Sequence, residues 1–179
     1  MRVVAFNGSA RKGGNTAILL RHVLNELEKE GIETELVEMS GAAIHGCLAC
    51  HKCSARKDGR CSQTGDMGNV YIDKMAAANG ILLGSPTYVA DISPEIKALI
   101  DRACLVSKSN GGMFRRKVGA GVIAVRRAGA IHARNPSAPL GLAAGAFMAS
   151  GRFEDLARIE DALGVQRLLQ RPHQRDLRR

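Results

Sequence analysis

The sequence predicts an open, parallel α/β sheet with helices on both faces. Three observations carry that prediction. Apolar, strand-like runs alternate four times with helical patterns, which calls for parallel strands joined by right-handed crossovers. The runs at Arg2–Phe6, Gly80–Gly84 and Lys117–Val125 are near-continuously apolar, as strands buried on both faces are. The first of them empties into a Ser/Gly/Asn/Thr-rich loop and then a helix, the place where open α/β sheets hold ligands.

A chain of 179 residues with 45% hydrophobic content fits one soluble domain with a real core. No apolar run approaches the roughly 18 residues of a membrane span. The chain enters strand pattern at once, with no signal-peptide core, so a cytoplasmic protein is expected. The net charge of +9 is uneven. Residues 1–125 carry 8 Lys, 8 Arg and 12 acids, or +4; residues 126–179 carry 10 Arg, no Lys and 5 acids, or +5. A basic excess suits nucleic acid, but with 3% aromatics and no Trp, stacking on single strands is poorly supported.

Taken in order, Arg2–Phe6 is a central strand and Asn7–Asn15 its loop. Ile18, Leu19, Val23, Leu24 and Leu27 recur at helical spacing, predicting a helix over Thr16–Glu30 with Asn15 as N-cap and Gly31 at C′. Glu33–Glu38 alternates, as an outer strand does. Ser40–Gly65 is a long aperiodic insertion, which needs a functional reason. Asp66–Ala78 reads as helix and Gly80–Gly84 as strand. Ser85–Ser93 is a loop into a Pro-started helix, Pro94–Ser107, and Lys117–Val125 is the fourth strand. Beyond Val125, Lys disappears while Ala, Arg, Gly, Leu and Pro dominate. Gly141–Ser150 lacks Val and Ile and makes a poor fifth strand; Phe153–Leu169 is an amphipathic helix and Arg171–Arg179 a basic tail.

Three segments sit at strand ends. The first loop has neither GxGxxG nor a complete Walker A, because Gly14-Asn15 stand where Lys-Ser/Thr belong. It sets Ser9, Arg11, Gly14, Asn15 and Thr16 around a helix N-terminus, which suits a phosphate dianion; an ordinary Gly-rich turn is the alternative. The second loop, Pro86, Thr87, Tyr88 and Val89, suits a planar ring or a solvent-facing turn. The third, Arg126, Arg127 and Gly129, offers cations at the same edge or a solvated charge pair.

The cysteines read Cys47-x2-Cys50-x2-Cys53-x7-Cys61. In a cytosolic chain such a cluster favours a metal centre over disulfides. Three thiolates at i, i+3 and i+6 suit three corners of a [4Fe–4S] cubane. Zinc, a redox disulfide or no bound group are the alternatives, with zinc more usual at two separated CxxC pairs. Cys104, on a helix face, is expected to be a buried core thiol, and His45 and His51 solvated loop residues.

AFNGSARKGGNT, ILLGSPTYVADISPEIKALIDR and VRRAGAIHA together resemble the signature segments of the NADPH-dependent FMN reductase family, and the cysteines resemble those of its iron–sulfur flavoprotein branch. The resemblance covers about residues 1–133. It implies a flavodoxin-like three-layer α/β/α fold with strand order 2-1-3-4 and a fifth strand not visible in the sequence. It further implies FMN phosphate on Ser9, Arg11, Asn15 and Thr16, the isoalloxazine against Pro86, Thr87, Tyr88 and Val89, and the segment from Arg126 beside the ring. Cys61 would then complete a [4Fe–4S] site with Cys47, Cys50 and Cys53. The activity implied is FMN-dependent electron transfer, with NAD(P)H as donor and a redox partner protein or small-molecule acceptor. Oligomers that bring one subunit's cluster to another's flavin are implied as well. A plain NAD(P)H-dependent FMN or quinone reductase and a non-enzymatic basic nucleic-acid-binding protein are the alternatives.

The expected domain is 1–133, with the cysteine insertion at 40–65 and an atypical basic segment at 134–179. The family continues past His132 with an aromatic-rich segment, a strand and a helix, whereas this chain has RNPSAPLGLAAGAFMASGRFEDLAR. Out-of-frame reading of a GC-rich gene from near Ala133–Pro136 gives such a composition break; a divergent tail for an acidic partner or RNA is the other reading. Sequencing the coding DNA separates them.

Overall fold

The structure, a computed structural model, describes residues 1–89, 91–125 and, as a backbone strand, 143–150. The strands are β1 (Arg2–Asn7), β2 (Glu33–Glu38), β3 (Gly80–Tyr88), β4 (Asp91–Ile92), β5 (Val118–Val125) and β6 (Ala143–Ser150). The helices are α1 (Asn15–Lys29), α2 (Lys52–Arg56), α3 (Gly68–Ala77) and α4 (Pro94–Ser109). The main sheet is parallel in the order β2-β1-β3-β5-β6. The order expected for the first four main strands therefore holds, and the fold is the flavodoxin-like three-layer one.

Two apolar clusters cover the two faces of the sheet. Val3, Ala5, Leu82 and Val122 pack against Leu19, Leu20 and Leu24 of α1. Val4, Phe6, Ile81 and Leu83 pack against Tyr71, Ile72 and Met75 of α3 and Ile96, Leu99, Ile100 and Ala103 of α4. Alternate residues of the central strands thus point to opposite helical layers, which is why those strands read as continuous apolar runs.

The structure corrects three sequence expectations. A fifth parallel strand is present: β6 pairs with β5 from Val118↔Ala143 to Val125↔Ser150. Its residues have poor strand propensity, and pairing with the free edge of β5 outweighs that preference. Gly14, not Asn15, is the N-cap of α1. β3 continues four residues past Gly84 to Tyr88, and β4 folds back on it with Thr87↔Ile92 and Tyr88↔Asp91. At the other end of α1, Gly31 stands at C′ with φ +73°, as expected. Its N–H donates to Glu28 O and that of Ile32 to Leu27 O, which closes a Schellman motif. The expectations for 134–142, Phe153–Leu169 and Arg171–Arg179 lie outside the described residues.

Candidate flavin and cysteine sites

The strand order reverses between β1 and β3, so the crevice past their carboxyl ends is the topological switch point of the sheet. The loop after β1 is built from within. Asn7 is fully buried; its Nδ2 donates to Glu38 Oε2 at 2.6 Å and its Oδ1 accepts from the Ser9 N–H at 3.1 Å. Ser9 Oγ in turn accepts from the Arg11 N–H at 3.2 Å. The Gly8 N–H donates to Gly84 O at 2.8 Å and ties this loop to β3. A Cβ on Gly8 would lie 2.1 Å from Ile96 Cγ1 and 2.7 Å from Ser93 Oγ, so only glycine lets the loop pass beneath the start of α4.

α1, 15 residues long, begins at Gly14 with no side-chain cap. The amides of its first turn have no intrahelical acceptor and carry the positive end of the helix dipole. Thr16 is buried there, while Arg11 and Asn15 are exposed. On the β3/α4 side, Thr87 Oγ1 and Ser93 Oγ are buried without a hydrogen-bond partner among the described residues. Buried hydroxyls seldom stay unpaired unless something else meets them. Val89 is fully exposed at φ +46°, an outlying conformation for a β-branched residue, and Tyr88 is exposed beside it. The first two predicted loops therefore flank one crevice. Arg126, Arg127 and Gly129 lie outside the described residues; β5, which leads to them, pairs with β3 as far as Ala124.

Cys47, Cys50, Cys53 and Cys61 line a single recess with Leu48, His51 and Arg102. Ala49 and His51 adopt the left-handed conformation, at φ 49° and 55°, and so fold the chain back between successive cysteines. The short α2 starts at Lys52, where no regular structure was expected. Cys50 Sγ lies 3.2 Å from Ser62 Oγ, and that contact, with the Lys52 backbone N–H, holds its thiol below the ordinary range. Cys53 Sγ lies 3.8 Å from Ser109 Oγ of α4. Cys61 is buried; the Asn69 side chain accepts from its N–H at 2.8 Å and donates to its C=O at 3.0 Å. His45 and His51 are exposed, as expected. Cys104 is half-buried against the α3/α4 cluster, not fully buried, because α4 turns it to the edge of its apolar face.

Sequence reasoning missed the pair that anchors this recess. Arg102 and Asp66 meet at 2.5 Å with side chains 0% and 1% exposed. Burial pushes the Asp66 carboxyl up, but hydrogen bonds from Arg102, the His45 and Gly68 N–H groups and the His45 ring outweigh it and hold it down at about 2. The available signal was a cation on the apolar stripe of α4, three residues after Leu99 and four before Val106.

The sequence profile of the NADPH-dependent FMN reductase family matches residues 1–153. The chain belongs to that family. It is 38% identical over 125 residues to an iron-sulfur flavoprotein of Methanocaldococcus jannaschii, covering 70% of this chain and 62% of that protein. It is 34% identical over 120 residues to one of Methanosarcina thermophila, covering 67% and 61%. The chain thus spans about three fifths of the length of these relatives. An apo NADH:FMN oxidoreductase structure is similar in fold, at TM-score 0.63 and 16% identity, covering 94% of this chain and 89% of that one.

The residues present suit FMN, which this family implies, and include the thiols that the iron–sulfur group named for the relatives would need. The uncapped start of α1 beside Ser9 and Arg11 suits a phosphate, and the unpaired Thr87 and Ser93 hydroxyls suit a polar ligand in the crevice. Four thiols on one recess are the donor set of an iron–sulfur cubane, in which each thiolate binds a different iron. Among the described residues no three His, Cys, Asp or Glu side chains converge on a single ion position.

Proposed function

We propose that this chain is an FMN-dependent electron-transfer oxidoreductase whose cysteines hold a [4Fe–4S] cluster. The observation that carries the flavin half is the pairing of an uncapped helix N-terminus with two unpaired buried hydroxyls at the switch point. The α1 amides, Ser9, Arg11, Gly14, Asn15 and Thr16 hold the phosphate. Pro86, Thr87, Tyr88 and Val89 orient the ring, and Arg126, Arg127 and Gly129 flank it. Cys47, Cys50, Cys53 and Cys61 supply the thiolates. When bound, FMN takes two electrons and releases them singly, and a cubane carries one at a time. NAD(P)H is the proposed hydride donor, and a redox protein or small molecule the acceptor.

Membership of the NADPH-dependent FMN reductase family also suits a second reading, an NAD(P)H-dependent FMN or quinone reductase without a cluster. The absorption spectrum of anaerobically purified protein separates the two. Flavin bands with a broad, bleachable iron–sulfur shoulder are expected. Flavin bands alone, unchanged after reconstitution with iron and sulfide, select the second reading. A colourless protein that takes up neither FMN nor iron sinks both.

A further inference from the structure

We propose that Arg102 is a positioning residue that joins the two ends of the cysteine loop and sets a fixed positive charge beside Cys61, raising the reduction potential of the bound cluster. This rests on the cluster reading above.

The guanidinium sits between the two ends of the loop. Nη1 donates to Asp66 Oδ2 at 2.5 Å and to His45 O at 3.4 Å, two residues before Cys47. Nη2 donates to Gln63 O at 3.0 Å, two residues after Cys61. One planar fork on α4 thereby fixes the segments leading into and out of all four cysteines. Nε is buried and has no hydrogen-bond partner among the described residues. Arg102 and Cys61 line the same recess, and the bond from Nη2 to Gln63 O holds the guanidinium two residues along the chain from Cys61.

The surroundings are shaped to this side chain. A Cβ on Gly68 would lie 2.3 Å from Arg102 Cζ, so α3 starts with a glycine where the guanidinium lies. Asp66 reaches the same place from the turn before α3, with Oδ1 accepting the Gly68 N–H at 3.0 Å. A buried pair such as this is weak evidence for stability, because desolvation offsets most of the attraction. Its placement favours a second role. A bound cluster would gain one negative charge on reduction, and a buried cation fixed beside it would favour that form. Net charge around a cluster is one of the terms that set its potential.

The opposite signs of the two partners give the test. Full-length protein is loaded with FMN and reconstituted anaerobically with iron and sulfide. Iron and acid-labile sulfide per chain are measured, and the cluster is titrated with dithionite under EPR detection. Arg102→Gln is expected to shift the cluster potential to more negative values, and Asp66→Asn, which leaves the cation uncompensated, to more positive ones. Arg102→Lys is expected to keep a potential close to that of the parent but to hold less cluster, because an ammonium cannot span both carbonyls. If Arg102→Gln does not fold, Asp66→Asn decides the sign alone. Full occupancy with unchanged potentials, or shifts in the same direction for Gln and Asn, overturns the proposal while leaving the cluster reading intact. A parent protein that binds no cluster overturns both.

Discussion

Asp66 carries the pH dependence expected of this protein at the scale of single residues. Its carboxyl is held at about 2 in the folded chain, against an ordinary value of 3.8. A depressed carboxylate contributes stability that is complete above its unfolded value and is lost as pH falls through the folded one. The window is therefore roughly pH 4 down to 2, and the contribution on the order of 2–3 kcal/mol. Chemical denaturation of the parent and Asp66→Asn across this window should show the stability gap between them shrinking as pH falls. A gap that stays constant would mean that the Arg102 pair is not what holds the carboxylate ionised. The pair also marks where single-residue reading stops. Four cysteines at fixed spacing stand out in the sequence as a group. Arg102 looks like any helical cation until Asp66, 36 positions away, is folded against it.

At the scale of elements, glycines fix how α1 and the first loop meet the sheet. A Cβ on Gly84 would lie 2.5 Å from Leu20 Cδ1 and 3.1 Å from Thr16 Cγ2, so α1 lies directly on β3 there. Gly84→Ala should push α1 outward and cost about 1–3 kcal/mol, as overpacked cores do. Because Thr16 stands in the first turn of α1, the same change should weaken FMN binding. Gly8→Ala should weaken it too, through the collision with Ile96 of α4. Thermal melts with and without FMN check both variants, and an unchanged FMN-induced shift in either counts against the phosphate assignment. The elements differ in how far the sequence revealed them. α1 and α4 were legible because apolar periodicity, a C′ glycine and an N-terminal proline agree with their tertiary roles. β6 was not: AAGAFMAS contains no β-branched residue, and its strand state is set by eight register pairs with β5. The second loop was not legible as a hairpin, because Pro86 reads as the end of a strand. In the fold it is paired with Ala124 inside the ladder.

At the scale of the whole molecule, the two candidate sites share α4 but differ in their other supports: Ile96 beside Gly8 belongs to the same cluster as Cys53 and Cys61, while α1 packs on the opposite face of the sheet. Leu19, Leu20 and Leu24 of α1 pack in one cluster, whereas Cys53 and Cys61 pack with the α3/α4 cluster. Loss of the thiolates should therefore leave flavin binding largely intact. A ligand that binds only the folded chain stabilises it by about 2.7 kcal/mol at a hundred times its dissociation constant. FMN should accordingly raise the melting temperature of the parent protein. It should raise that of a Cys47→Ser, Cys50→Ser, Cys53→Ser triple variant by nearly the same amount, although that variant binds no iron. Riboflavin, which lacks the phosphate, should shift both much less at equal concentration, because the uncapped start of α1 then meets no anion. Equal shifts from riboflavin and FMN would remove the phosphate from the first loop. Loss of the FMN shift in the triple variant would mean that the cysteine recess and the crevice form one cooperative unit through α4, whose first-turn residue Ile96 packs over Gly8 and whose last turn holds Ser109 against Cys53.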